Sequence, residues 1–177
     1  MLNRDFTFIH KYFLAEKQES LLFLIVGIVA VIIAVVFFFY MQSNPSFFKG
    51  AAIPLVAIGL IQIIVGYTVF ARSDMQRVNV AYKMGIDSAG FVKTEELPRM
   101  QVVNKNFVLY RYIEIALFLT GIVFIFLFKG KADKAFWLGL GVTLTIQSLI
   151  MLGADYFAER RALEYTRHIT SLINSVN

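Results

Sequence analysis

Cysteine is absent from all 177 residues. That removes disulfides, thiolate nucleophiles and cysteine-held iron–sulfur clusters from consideration. Charge is also scarce: 16% of residues are Asp, Glu, Lys or Arg, against roughly 25% in soluble domains. Histidine occurs twice, as His10 and His168 near the two ends of the chain. Two imidazoles alone make a weak metal site, so packing or surface roles are expected and no metal is assigned. No Gly-rich phosphate loop, His-Glu-x-x-His pair or nucleophile elbow is present, nor are carboxylates paired at helical spacing inside an apolar run. No catalytic residue or cofactor follows, and an enzyme is not expected.

What the chain has is apolar sequence, 58% of its residues. Four runs, 21–41, 51–71, 109–128 and 135–154, each come near the roughly 20 residues that a helix needs to cross the hydrocarbon core of a bilayer. Helices satisfy every backbone polar group internally, so runs of this length predict an all-α integral membrane protein. The first run is longer than a signal-peptide core and leads into Gln42, Ser43, Asn44 and Pro45 with no small-x-small cleavage site. It is read as a retained helix.

Lys and Arg set the orientation, because cytoplasmic flanks carry the positive excess. Thirteen lie in the N-terminal segment, the central segment and the tail, from Arg4 to Arg167, whereas Lys49, Lys129, Lys131 and Lys134 occupy the two short hairpins. Both termini and the central segment are therefore expected in the cytoplasm, with the protein in a cell (inner) membrane. The net charge of +5 follows from this bias and from attraction to anionic lipid, so nucleic acid is not inferred as a partner.

Apolar periodicity continues past the membrane surface. Phe6, Ile9, Phe13 and Leu14 precede the first run; Met75, Val78 and Tyr82 follow the second; Met100, Val103, Phe107 and Tyr110 lead into the third; Tyr165, Ile169, Leu172 and Ile173 follow the fourth. Gly85 reads as a helix stop and Thr94 as an N-cap with Glu95 and Glu96 in the first turn, which leaves 85–93 as the one cytoplasmic loop. The predicted fold is an antiparallel bundle of four transmembrane helices extending into the cytoplasm. It forms one domain, 1–177, with cytoplasmic helical extensions and a loop at 1–20, 72–108 and 155–177. The segments 1–72 and 100–161 also compare as a tandem repeat of two hairpins, through Gly27-Ile28-Val29 against Gly121-Ile122-Val123 and Ile61-Gln62 against Ile146-Gln147. Low-complexity apolar sequence produces such matches by itself as well.

Polar residues inside spans are costly in lipid and mark candidate sites. Gln62 and Gln147 stand near the middle of the second and fourth runs, where their amides are expected to bond each other or Thr120, Thr143 or Thr145. Glu114 is the acidic residue embedded in a run, on the stripe of Phe107 and Tyr110. Arg111, three residues earlier, is its expected ion-pair partner. The alternative assigns Glu114 a proton or cation, with Gln62 and Gln147 deeper on the route. The charged cytoplasmic extensions read as a solvated face or a docking surface.

The function expected first is non-enzymatic: protein–protein contacts in or beside the bilayer, with a protein partner or further copies of the chain. The size and four-span, termini-inside topology are similar to those of the colicin A type immunity proteins; the resemblance implies a block on a pore-forming toxin and carries over no residues. An accessory or scaffold subunit of a membrane complex fits equally. The alternative is a small oligomeric ion channel or proton-coupled carrier using Glu114.

Overall fold

The computed structural model describes residues 7–174 and is entirely helical over them; Arg4 and Phe6 lie outside the described residues. Long helices α1 (Thr7–Phe39) and α2 (Pro45–Ile86) form one hairpin. A single turn, α3 (Ser88–Phe91), and a π-helical turn (Val92–Glu96) lead into α4 (Leu97–Phe128), which pairs with α5 (Ala135–Asn174). Among the described residues, four helical stretches are long and apolar enough to cross a membrane.

Local chemistry explains the helix ends. Asn44 caps α2 by accepting a hydrogen bond from the Phe47 amide at 3.3 Å, with Pro45 in the first turn where its missing N–H costs nothing. After α4, Gly130 takes φ +80°, a left-handed conformation that glycine adopts freely, and reverses the chain toward a 3₁₀ turn at Ala132–Lys134.

The expected loop 85–93 is mostly helix. A glycine inside a helix costs only about 1 kcal/mol, so α2 continues through Gly85 to Ile86. The break falls at Asp87, whose side chain accepts from the Gly90 amide at 2.9 Å and so caps the next turn. Thr94 is not a cap: its hydroxyl donates to the Gly90 carbonyl at 2.8 Å. Phe91 and Val92 are buried, which draws this segment into the core instead of leaving it in water.

The packing order is α1–α2–α5–α4. The hairpin partners are antiparallel, α2 and α5 run side by side in the middle, and α1 and α4 make no comparable contact with each other. The seams change character along their length. Toward the hairpin end they are built of small residues: Ser20, Gly27, Ala30 and Ala34 on α1 and Gly50, Ala51, Ala52, Gly59 and Gly66 on α2. Toward the termini they hold a cluster of large side chains, including Ile9, Phe13, Met84, Met100, Tyr165 and Ile169.

The two kinds of seam suit different solvents. In lipid, apolar side chains gain nothing by leaving an equally apolar solvent, so helices associate by close backbone approach. In water, burial of large apolar side chains is the main driving force. The ion pairs Lys17–Asp74, Arg161–Glu19 and Arg111–Glu159 lie between the two regimes and tie α1 to α2, α5 to α1 and α4 to α5.

Candidate functional site

The buried residues of α4 are Met100, Glu114 and Gly121, and Phe107 packs partly buried against the core. Their seven-residue spacing defines one seam, and it faces α5. Tyr110, placed on the Glu114 stripe by the sequence, is instead exposed. Glu114 is 1% exposed, and no protein donor reaches either carboxylate oxygen.

The expected Arg111–Glu114 ion pair does not form. Arg111 reaches across to α5, where its guanidinium meets Glu159 at 2.6 Å. Glu114 projects into the seam while the longer, half-exposed Arg111 extends toward the polar boundary, so the two diverge despite their spacing. Asp155, a carboxyl on α5, lies near enough to Glu114 for the two to interact electrostatically. Glu159 and Glu19 add negative charge near Asp155. Asp155 escaped the sequence reading because it falls one residue past the fourth apolar run. The signal available was a pair of carboxyls at matching depth on adjacent antiparallel helices.

Gln62 on α2 is 0% exposed, and both of its amide atoms are without a hydrogen-bond partner. Gln147 Oε1 and the neighbouring Ser148 hydroxyl on α5 are likewise buried and unpaired. The expected amide bonds to threonine are not made. Thr120, Thr143 and Thr145 instead donate to carbonyls of their own helices, Ala116, Gly139 and Gly141, at 2.8, 3.1 and 2.8 Å. Nor does either glutamine bond the other. A helix carbonyl one turn back is always within a hydroxyl's reach, whereas a cross-helix amide needs the right depth and direction.

A second polar centre lies in the large-residue core. Glu96, expected on a solvated face, is 2% exposed. It accepts from Arg99 Nε at 2.9 Å and from the other guanidinium arm at 2.7 Å, and from the Tyr165 hydroxyl at 2.7 Å. Tyr165 stacks on Tyr12 with ring centroids 4.2 Å apart, and Arg99 lies over Phe13. Burial, reinforced by the Glu96 charge, pushes the Tyr165 hydroxyl above its ordinary pKa. Burial works against the Arg99 charge, but the bonds to Glu96 outweigh it and hold the guanidinium protonated. Glu96 lies four residues after Val92 and four before Met100, both fully buried; that stripe was the sequence signal for its burial.

His168 stacks on Phe8 with centroids 5.5 Å apart, while His10 is exposed. Among the described residues no three His, Cys, Asp or Glu side chains are grouped to hold a metal. A cavity of about 260 Å³ between α1, α2 and α5, lined by Ile33, Phe37, Leu55 and Ile146 among others, is apolar. A groove of about 250 Å³ beside Tyr12 and His168 lies at the termini end. Scans against family models and searches of curated proteins and solved structures found no match to the chain.

Proposed function

We propose that this is a non-enzymatic multi-pass membrane protein that acts through protein–protein contacts in or beside the bilayer, with its termini and large-residue core in the cytoplasm. The observation that carries this reading is the closeness of the helix seams. A Cβ added to Gly27 would stand 2.7 Å from the Gly59 carbonyl oxygen, and one on Gly121 would stand 2.9 Å from the Gly141 carbonyl oxygen. Gly50 and Gly139 likewise meet backbone of the opposite helix, at Phe136 and Phe47. Helices in backbone contact leave no room between them for a solute to pass.

The outward surfaces are what remain to act. Toward the hairpin end they are apolar side chains such as Leu22, Ile32, Ile64 and Phe126; toward the termini they mix charged side chains such as Arg160 and Glu164 with exposed Met75, Val78 and Tyr82. The basic bias of thirteen residues against four supports the cytoplasmic side for the termini. A toxin-blocking immunity protein and an accessory subunit are both forms of this reading.

One observation favours the second reading, a proton-coupled carrier: the buried Glu114 beside Asp155. The Gly121–Gly141 contact lies on the same α4–α5 seam on the hairpin side of that pair, which argues against a continuous path. Purified protein in liposomes under a proton gradient decides between them. The contact reading predicts leak no greater than in empty liposomes; flux that Glu114→Gln removes would establish the carrier.

A further inference from the structure

We infer that α2 pairs in parallel with α2 of a second copy of the chain, along an outward stripe that runs from the apolar run into the cytoplasmic extension. Positions 57, 61, 64, 68, 71, 75, 78 and 82 alternate by four and three residues, and every one of them is exposed. That is the seven-residue repeat by which one helix packs along another. It follows about 38 Å of helix.

Within the apolar run the stripe needs no protein partner, because lipid covers Ile61 and Ile64 as well as another helix would. Thr68 presents no open donor there, since its hydroxyl donates to the Ile64 carbonyl at 2.7 Å. Past the Lys17–Asp74 ion pair, lipid no longer explains the pattern. Met75, Val78, Tyr82 and Ile86 are 62–72% exposed, while Val80 and Met84 on the opposite side of the same turns belong to the large-residue core. The other helices turn polar outward at this end. Exposed positions on α1 are Thr7, Lys11, Leu14 and Gln18, those on α5 include Arg160, Glu164 and Arg167, and α4 sets Val102 between Gln101 and Lys105. Four large apolar side chains kept on one helix face in water mark a contact surface.

The length of the stripe identifies what covers it. A soluble partner reaches only the 75–86 end, and lipid only the 57–71 end. A helix that covers both must cross the same bilayer at the same depth and continue as far beyond it. A second copy's α2 does so by construction, and two copies inserted in one orientation bring these helices together about a two-fold axis along the membrane normal. Ala57 and Ala71, both on the stripe, then let the backbones approach closely. Arg72 and Asp74 border the stripe on opposite sides. In a parallel pair the Asp74 side of one copy faces the Arg72 side of the other, so opposite charges share each flank. The outer faces of α1, α4 and α5 stay open to another protein. The pairing therefore rests on the cytoplasmic placement of the extension and not on whether a second protein binds.

The natural lack of cysteine allows single cysteines on the stripe, as Met75→Cys, Val78→Cys and Tyr82→Cys, with Gln18→Cys as an exposed position on α1 away from it. Oxidation in the native membrane should link two copies through the stripe positions about tenfold more than through Gln18→Cys, because facing positions of paired helices meet the roughly 4.4–6.8 Å Cα separation that a disulfide needs. Purified parent protein in nanodiscs should hold two chains and Val78→Lys one, with the helical circular dichroism of both unchanged. No link at any stripe position overturns the inference, and so do links through Gln18→Cys as abundant as those through the stripe, which would reflect chance collision. Links to a protein of different mass overturn the second copy while supporting the contact function. Parent protein that holds a single chain overturns the pairing even if Val78→Lys fails to fold, and a Val78→Lys protein that stays paired removes this face from the contact.

Discussion

The Tyr165 hydroxyl donates to Glu96 at 2.7 Å across 69 residues of sequence, and so fastens α5 to the π-helical turn that precedes α4. Glu96 also carries both contacts from Arg99. Tyr165→Phe removes one hydrogen bond to a charged group and leaves Glu96 satisfied by Arg99, which predicts a loss of about 1.5 kcal/mol. Glu96→Ala strands a buried hydroxyl and a partly buried guanidinium together, for about 3 kcal/mol. Thermal unfolding in a mild detergent measures both; equal losses for the two variants would contradict the network.

The seams make an opposite pair of predictions for two glycines. Gly27→Ala places a methyl 2.7 Å from the Gly59 carbonyl and 2.9 Å from Gln62 Cβ, and should destabilise the α1–α2 hairpin by about 1–3 kcal/mol. Nothing lies within 4 Å of a Cβ on Gly85, which sits within α2 without a positive φ. Gly85→Ala should therefore stabilise by about 0.5–1 kcal/mol. The sign of the two melting shifts is the readout, and shifts in the same direction would count against the packing described.

Gln62 separates structural from functional polarity. Its amide is buried without partners, a condition that costs about 1–3 kcal/mol. Gln62→Met keeps the side chain's length and removes the unpaired groups, so the variant should melt higher than the parent. A lower melting temperature would show that the amide is bonded in the membrane.

Two carboxyls on adjacent helices, Glu16 on α1 and Asp74 on α2, predict opposite pH slopes. Burial raises Glu16 above the ordinary Glu pKa, against the pull of Arg72, Arg99 and the Ser73 hydroxyl. The folded chain then binds a proton that the unfolded chain has lost, so stability falls as pH rises from the ordinary Glu range through the folded value. Glu16→Gln should flatten that decline. The hydrogen bond from Lys17 lowers exposed Asp74. Its contribution is present above the ordinary Asp range and fades as pH falls through the folded value, and Asp74→Asn should remove that acid-side loss. Melting temperature against pH for the three proteins gives both slopes; an unchanged alkaline-side slope in Glu16→Gln would contradict the first.

The four apolar helices and their continuation past the apolar runs were legible because they rest on run length and periodicity, which depend on neighbours in sequence. Glu96 and Asp155 were not singled out, and their roles are set by other helices: Glu96 by Tyr165 and the core around it, Asp155 by the depth at which α5 meets α4. Arg111 shows the limit of spacing rules. Three residues place it near Glu114 along the helix, yet side-chain length and direction send one to Glu159 and the other into the seam. Gly85 and Thr94 show a second limit, since the helix break followed the side chain that satisfied an open donor, Asp87, and not the residues of weakest or most cap-like propensity.

The function proposed for the chain is contact with another protein in or beside the membrane. Mild extraction from the native membrane followed by native mass measurement tests it most directly. The 20.1 kDa chain should emerge in fixed ratio with a second protein; the chain alone with lipid, or only multiples of its own mass, would contradict that function.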